Sequence, residues 1–191
     1  FSDQQQNDGG NKHWLDLARR LNDYALENFY DKTAGLFFYT PSNAQALAVR
    51  KMELSDAVIP SSNSIMCGVL HDLGVYFENA DYSNKSADML NKVMMSAKEK
   101  PQYYAQWCMN AGGPAFGAKE VAIVGADALT KNLGLQQHYL PNCLFMGSSR
   151  EENLPLLEGK FSEGITFIYV CTNKTCQRPV DDAANALEQI R

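Results

Sequence analysis

The chain has 191 residues, of which 45% are hydrophobic and 20% charged, and its formal net charge at pH 7 is −5. A chain of this length and composition can bury a core of its own, which excludes a disordered protein. The mild negative charge excludes the basic surface that attracts nucleic acids and anionic membranes. No apolar run approaches the roughly 20 residues that span a bilayer, so we expect neither a nucleic-acid nor a membrane partner.

The N-terminal part is predicted to begin with a flexible lead-in over residues 1–11, which are polar and end in glycine-rich sequence. From residue 13 to about residue 30, apolar residues recur every three or four positions, a spacing that predicts a helix. These positions are Trp14, Leu17, Ala18, Leu21, Tyr24, Ala25 and Phe29. Two strand-like stretches follow, at 36–39 and 46–52, and predict a hairpin with a long loop.

The middle of the chain is predicted to be helical. One helix covers 61–78, because Pro60 and the serines after it suit a first turn and apolar residues continue at helical spacing. A second covers 82–98 and is expected to pack on the first as an antiparallel hairpin. A third runs from 103 to about 110, where the sequence Gly112-Gly113-Pro114 is expected to end it.

The last third alternates between strands and helices. The continuous apolar run at 120–125 predicts a strand buried on both faces, and two more strands are predicted at 144–146 and 165–170. Asp127 and Asp181 are suited to cap the two helices of this part. The order predicts a small three-layer α/β region in which helices flank a parallel sheet.

A polar cluster at the start of the first central helix is the best candidate for a binding site. Asp56 precedes Ser61, Asn63 and Ser64, and the free N–H groups of a helix N-terminus attract anions and oxygen-rich ligands. One interpretation is a pocket for a sugar or polyol, with Asp56 as acid, base or hydroxyl acceptor. The alternative, which spacing alone favours, is helix capping with a buried polar network.

The five cysteines are an odd number scattered through apolar stretches, which predicts reduced, mostly buried thiols in a cytoplasmic protein. Cys171 and Cys176 lack the Cys-x-x-Cys spacing of a redox motif. A switchable disulfide is one interpretation of this pair, and two buried structural thiols are the favoured one. No neighbouring Cys/His pair completes a zinc site, and the lone Gly125 is a weak nucleotide signal, so neither a metal nor a cofactor is predicted.

Several short stretches, taken together and in order, resemble the spermatogenesis-associated protein 20-like family, whose members carry a thioredoxin-like domain and a toroid of helical hairpins. They are Gly35-Leu36-Phe37-Phe38, Asp56 with Pro60-Ser61, Asn63 and Ser64, Glu120-Val121 with Ile123-Val124-Gly125, Leu140-Pro141-Asn142, and Tyr169-Val170-Cys171 with Asn173, Cys176 and Pro179-Val180. The set spans nearly all of residues 12–191. The sequence departs from the family at Ser62, where the family has glycine.

The resemblance implies an α+β chain that is the C-terminal portion of a longer protein. Residues 12–116 would form the last hairpins of an (α/α) toroid of the six-hairpin glycosidase type, and residues 117–191 the small α/β domain. In related toroids, polar residues at the inner helix ends line a sugar site, which implies that role for the polar cluster around Asp56. The upstream thioredoxin-like domain is the implied protein partner.

Two functions follow as hypotheses. The first is carbohydrate binding or processing, with Asp56 as the candidate catalytic residue. The second is a non-catalytic docking platform for a redox domain, with Cys171 and Cys176 as a responsive pair. The surroundings of Asp56 discriminate between the two, because a carboxylate that is buried and bonded to its own helix cap would remove the only anchor for the enzyme in this chain.

Overall fold

A computed structural model describes residues 10–44 and 49–191, and within these ranges the chain is a mixed α+β protein. It divides into two compact units. The helical unit comprises the described residues up to Gly74 together with Ala80–Cys108, and the sheet unit comprises Val75–Asn79 with Met109–Arg191. None of the helices seen in the described ranges combines the length and the apolar character that a membrane span requires.

The helical unit contains three long helices, the start of a fourth and a short hairpin. These elements are α1 (Gly10–Asn28), β1 (Tyr30–Asp31), β2 (Leu36–Phe37), α2 (Ser62–Tyr76), α3 (Ala80–Glu99) and α4 (Ala105–Phe116). The predicted helices at 13–30, 61–78 and 82–98 are confirmed. The buried apolar side chains of this unit include Leu36, Phe37, Cys67, Leu70, Leu73, Tyr82, Met89, Val93, Ala97 and Trp107.

Helices α2 and α3 pack against each other as the antiparallel hairpin that the sequence predicts. The hydroxyl of Ser86 donates a hydrogen bond to the carbonyl oxygen of Cys67 at 2.7 Å. Further along α2, a Cβ atom added to Gly74 would lie 2.4 Å from the hydroxyl oxygen of Ser83. Residues later in α2 therefore contact residues earlier in α3, as in an antiparallel pair. The absence of a side chain at Gly74 permits the two helices to approach closely.

The predicted hairpin of residues 36–39 and 46–52 is replaced by a tighter one, in which β2 pairs with β1. Gly35 adopts a left-handed φ of 66°. The carboxylate of Asp31 accepts hydrogen bonds from two backbone N–H groups of the same turn, at 2.9 and 2.7 Å. These two features close a short turn and bring β2 back onto β1. Within the expected partner strand, residues 46–48 lie outside the described residues, and residues 49–52 form no strand.

Helix α4 continues past the point at which the sequence predicts its end. Gly112, Gly113 and Pro114 lie inside the helix, so the prediction that they terminate it is wrong. The helix ends at Phe116, because Gly117 adopts a left-handed φ of 85° and its N–H donates to the carbonyl oxygen of Gly113 at 2.9 Å. A glycine with a left-handed φ commonly ends a helix. Gly117 has this conformation, whereas Gly112 and Gly113 remain helical.

The sheet unit contains four strands and two complete helices. They are β3 (Lys119–Val124), α5 (Ala128–Leu135), β4 (Cys143–Ser148), β5 (Phe167–Thr172), β6 (Thr175–Cys176) and α6 (Ala183–Ile190). The three predicted strands and both predicted helices are confirmed, and β6 is an addition. The predicted caps are not those formed: Asp182, one residue after Asp181, accepts the backbone N–H groups at the start of α6, and Asp127 makes no side-chain cap bond.

The prediction of a parallel sheet is only partly correct, since the sheet is mixed. Its strand order is β4-β3-β5-β6, with β3 parallel to β4 but antiparallel to β5. Helix α5 returns the chain between β3 and β4, as parallel neighbours require. The connection from β4 to β5, residues 149–166, contains no helix. It brings the chain to the other side of β3 in the opposite direction.

Helices α5 and α6 pack on the same face of the sheet. The cluster that they share with it comprises Val121, Ile123, Ala128, Leu135, Ile168, Val170, Ala186 and Ile190. Because successive strand residues point to opposite faces, the strand members of this cluster define one face. On the other face, the hydroxyl of Tyr169 donates to the carbonyl oxygen of Lys160 at 3.1 Å. The arrangement differs from the expected three layers, in which these helices flank both faces.

Gly125 follows β3 at a position that only glycine fits. Its φ is 136°, and a Cβ atom there would lie 2.5 Å from the Cα of Thr166. We expect Gly125→Ala to lower the free energy of unfolding by at least about 2 kcal/mol, because backbone strain and steric overlap add together. Urea unfolding followed by circular dichroism measures this change.

Gly134 of α5 supplies the matched control, because a Cβ atom there meets nothing within 4 Å. Gly134→Ala should leave stability unchanged or raise it by up to about 1 kcal/mol, since alanine favours helix. Equal effects of the two substitutions would contradict the close approach of Gly125 and Thr166.

Candidate functional site

The carboxylate of Asp56 lies at the N-terminus of α2 and is buried, with only 8% of the residue exposed. Its Oδ1 accepts hydrogen bonds from the backbone N–H of Ser61 at 2.8 Å and from the hydroxyl of Ser64 at 2.9 Å. Its Oδ2 accepts one from the backbone N–H of Gln106 at 2.8 Å. Three donors of the protein itself therefore surround the carboxylate, and hydrogen bonds to a charged group contribute about 1.5–3 kcal/mol each.

Ser61 and Ser64 are buried together at the first turn of α2. The hydroxyl of Ser61 donates to the carbonyl oxygen of Leu54 and accepts from the backbone N–H of Ser64, both at 3.1 Å. The Ser64 hydroxyl oxygen also lies 2.8 Å from the carbonyl oxygen of Ser61. A serine hydroxyl has one proton to donate, so both hydroxyl protons are engaged within the helix cap.

Asn63 is fully buried and links α2 to the short hairpin. Its Oδ1 accepts from the backbone N–H of Phe37 at 2.8 Å, and its Nδ2 donates to the carbonyl oxygen of the same residue at 2.9 Å. A second bond runs from Nδ2 to the carbonyl oxygen of Glu53 at 2.9 Å. The side-chain amide pairs with β2 as a neighbouring strand would, and both amide protons are used.

Trp107 completes this cluster, although the sequence analysis did not identify it. The residue is fully buried, and its Nε1–H donates to the carbonyl oxygen of Leu54 at 2.7 Å, the same oxygen that accepts the Ser61 hydroxyl. A tryptophan near the start of a predicted helix was the only available signal. Its partner lies far away in the sequence, so periodicity alone could not reveal it.

The structure therefore places all four predicted substrate-binding residues together at the start of α2. Their polar atoms bond to one another and to the backbone of the helical unit, in the geometry of a helix cap with a buried polar network. Substrate binding by these residues stays a prediction that this geometry does not favour, because a sugar hydroxyl would have to replace bonds that are already made.

The second candidate site is a disulfide between Cys171 and Cys176. Cys171 in β5 is fully buried, whereas Cys176 in the edge strand β6 is exposed. The favoured expectation of two reduced, buried thiols is therefore wrong. The reason is the turn between them: Asn173 and Lys174 adopt φ values of 50° and 67°, which are typical of a two-residue hairpin turn, and place the cysteines directly opposite each other.

Polar contacts hold this hairpin on both sides. The ammonium group of Lys174 lies 2.9 Å from the carboxylate of Glu78, and its backbone N–H donates to the carboxylate of Glu120 at 3.3 Å. On the strand that precedes the turn, the ammonium group of Lys119 donates to the hydroxyl of Thr172 at 3.1 Å. The disulfide therefore lies in a region of mixed charge at the edge of the sheet.

The other three cysteines form no disulfide. Cys67 is buried, Cys143 is half-buried and Cys108 is exposed. Burial raises the pKa of the Cys143 thiol, and the nearby Lys119 opposes that effect in part, so this thiol is a weak nucleophile at neutral pH. Within the ranges 10–44 and 49–191, no three His, Cys, Asp or Glu side chains are grouped so that they could hold a metal ion.

Asp72 on α2 is a titratable group that the sequence analysis did not select. Burial raises the pKa of its carboxyl group, and the neighbouring His71 acts in the opposite direction. Raised carboxyl pKa values occur at catalytic sites and also at purely structural positions. The sequence offers no signal for it, because an acidic residue at this helical position is also what a solvent-facing surface would carry.

Comparison with protein-family models and with curated proteins gives no match to this chain. The resemblance to the spermatogenesis-associated protein 20-like family is supported by the short stretches quoted above and stays a proposal.

The bonds of Asp56 predict a structural effect of its substitution. Asp56→Asn replaces one acceptor oxygen by an NH₂ group and removes the charge, so at least one of the three donors is left without an acceptor. We expect the free energy of unfolding to fall by about 2–3 kcal/mol. Asp127→Asn is the control, since Asp127 is exposed and makes no cap bond, and it should change stability by less than about 0.5 kcal/mol. An unchanged stability of Asp56→Asn would argue against the structural role.

The raised pKa of Asp72 predicts a pH-dependent effect. A carboxyl group whose pKa is higher in the folded state disfavours the folded state once it is ionised, so its cost is absent in acid and grows as the pH rises through the unfolded and then the folded pKa. Asp72→Asn should therefore raise the melting temperature near neutral pH and change it little at about pH 3. A thermal melt at both pH values tests this, and a larger gain in acid would contradict it.

Proposed function

We propose that this chain is a non-catalytic docking platform for a thioredoxin-like redox domain, which reversibly reduces the Cys171–Cys176 disulfide. The observation that supports the proposal is the disulfide itself, which joins an exposed cysteine of an edge strand to a buried one. A bond buried at both ends would be out of reach of a protein partner, and this one is reachable through Cys176.

The proposed exchange is balanced without any further reagent. A dithiol of the partner gives up two electrons and two protons and becomes a disulfide, while Cys171 and Cys176 become thiols. The reverse step restores the bond seen in the structure. The chain contributes the substrate disulfide and the surface around it, which is why the platform needs no catalytic group of its own.

The environment of Asp56 argues against the carbohydrate hypothesis. General acid–base catalysis needs a titratable group within reach of the substrate. Asp56 instead caps α2 and is enclosed by donors from the chain. We expect no thermal shift with mono- or disaccharides. A saturable shift would favour the carbohydrate function, since a ligand at a hundred times its dissociation constant adds about 2.7 kcal/mol of stability.

The α2–α3 hairpin is consistent with membership of a larger (α/α) toroid, as the resemblance implies. In this proposal the chain is the C-terminal portion of a cytoplasmic protein similar to the spermatogenesis-associated protein 20-like family, and the redox domain is the upstream part of the same protein. The cytoplasm supplies the reductants that a cycling disulfide needs.

Reduction by a dithiol protein tests the proposal. We expect thioredoxin, with thioredoxin reductase and NADPH, to convert the chain from three alkylatable cysteines, Cys67, Cys108 and Cys143, to five under denaturing alkylation. Intact-mass spectrometry counts the added groups.

The double variant Cys171→Ala/Cys176→Ala is the control and should show three alkylated thiols before and after treatment. A disulfide that a small phosphine reduces but thioredoxin leaves intact would contradict the proposed partner.

A further inference from the structure

Resting on the proposed function, we infer that Cys176 is the sulfur that an incoming thiolate attacks, and that Cys171 is the resolving cysteine. The exchange therefore passes through a mixed disulfide at Cys176. The same position is then the site at which small thiols, such as glutathione, add to this protein.

The difference in burial between the two sulfurs leads to this assignment. A thiolate attacks a disulfide in line with the S–S bond, from the side opposite to the leaving sulfur. Cys176 is an exposed residue of the edge strand β6, so an incoming thiolate reaches this residue from solvent. Cys171 is fully buried in β5, and an attack on its sulfur would have to come through the interior of the sheet unit.

Each step of the exchange conserves electrons and protons. The partner thiolate forms a bond to Sγ of Cys176, the Cys171–Cys176 bond breaks, and Cys171 leaves with the electron pair and takes a proton from water. The second thiol of the partner then loses a proton, attacks its own sulfur in the mixed disulfide and releases Cys176 as a thiol. With glutathione disulfide as oxidant and a reduced chain, Cys176 takes one glutathionyl group and reduced glutathione is released.

The hairpin keeps the resolving cysteine next to the site of attack. Cys171 and Cys176 are directly paired across β5 and β6, and Thr172 pairs with Thr175 beside them. An exposed ion pair of Lys174 with Glu78 also contacts the turn from outside the sheet. These contacts do not depend on the S–S bond, so Cys171 stays close to a modified Cys176 and attacks it intramolecularly.

The first experiment uses the unaltered chain and a thioredoxin whose second active-site cysteine is replaced by serine, which traps the mixed disulfide. Peptide mapping without reduction identifies the cysteine that is joined to thioredoxin. We expect Cys176 to carry at least about ten times more adduct than Cys171, because attack requires access. Adduct on Cys171, or equal amounts on both, would overturn the assignment while leaving thioredoxin as the partner.

The second experiment compares Cys171→Ala with Cys176→Ala, each with Cys108→Ser to remove the other exposed thiol. With glutathione disulfide, the variant that keeps Cys176 should be modified at least about tenfold faster than the variant that keeps Cys171. Circular dichroism establishes that both are folded. Equal rates would overturn the assignment of Cys176.

The two experiments test the thioredoxin-like partner and the site of attack separately. Glutathione on Cys176 without any thioredoxin adduct would overturn the thioredoxin-like partner and support the site of attack. No reaction with either reagent would overturn both.

Discussion

The Asp56 carboxylate joins parts of the helical unit that are far apart in the sequence. It fixes the first turn of α2 through Ser61 and Ser64 and the first turn of α4 through Gln106. At each helix start, the first N–H groups have no carbonyl acceptor within their own helix. The single carboxylate of Asp56 supplies an acceptor at both helix starts. The orientation of α2, and with it the α2–α3 hairpin and the contact of Asn63 with the short hairpin, depends on this buried charge keeping its partners.

The parts of the fold that could be predicted are those set by local pattern. The run 120–125 was recognisable as a buried strand because a central strand has no face on which polar residues are tolerated. The direction of β5 was not recognisable, since a strand has the same alternation in either direction and the connection 149–166 carries no helical signal. The end of α4 depended on the conformation of Gly117, which composition does not reveal.

The sequence predicts where the candidate site lies but not what its residues do. Asp56, Ser61, Asn63 and Ser64 are the residue types that both helix caps and polar binding sites use, and only the count of satisfied donors and acceptors separates the two. The pairing of the cysteines could not be predicted for another reason. Their alignment requires a left-handed backbone at Lys174, and this conformation is uncommon for lysine.

The disulfide closes a very short loop, since its cysteines are five positions apart in the sequence. On the chain-entropy account, a loop of this size contributes about 2 kcal/mol, against nearly 5 kcal/mol for a loop of about 100 residues. The buried apolar cluster that α5 and α6 share with the sheet includes neither of the two cysteines. In the proposed function, opening the bond therefore removes only a small part of the stability of the sheet unit, so the pair is better suited to respond to the redox state of its surroundings than to hold the fold together.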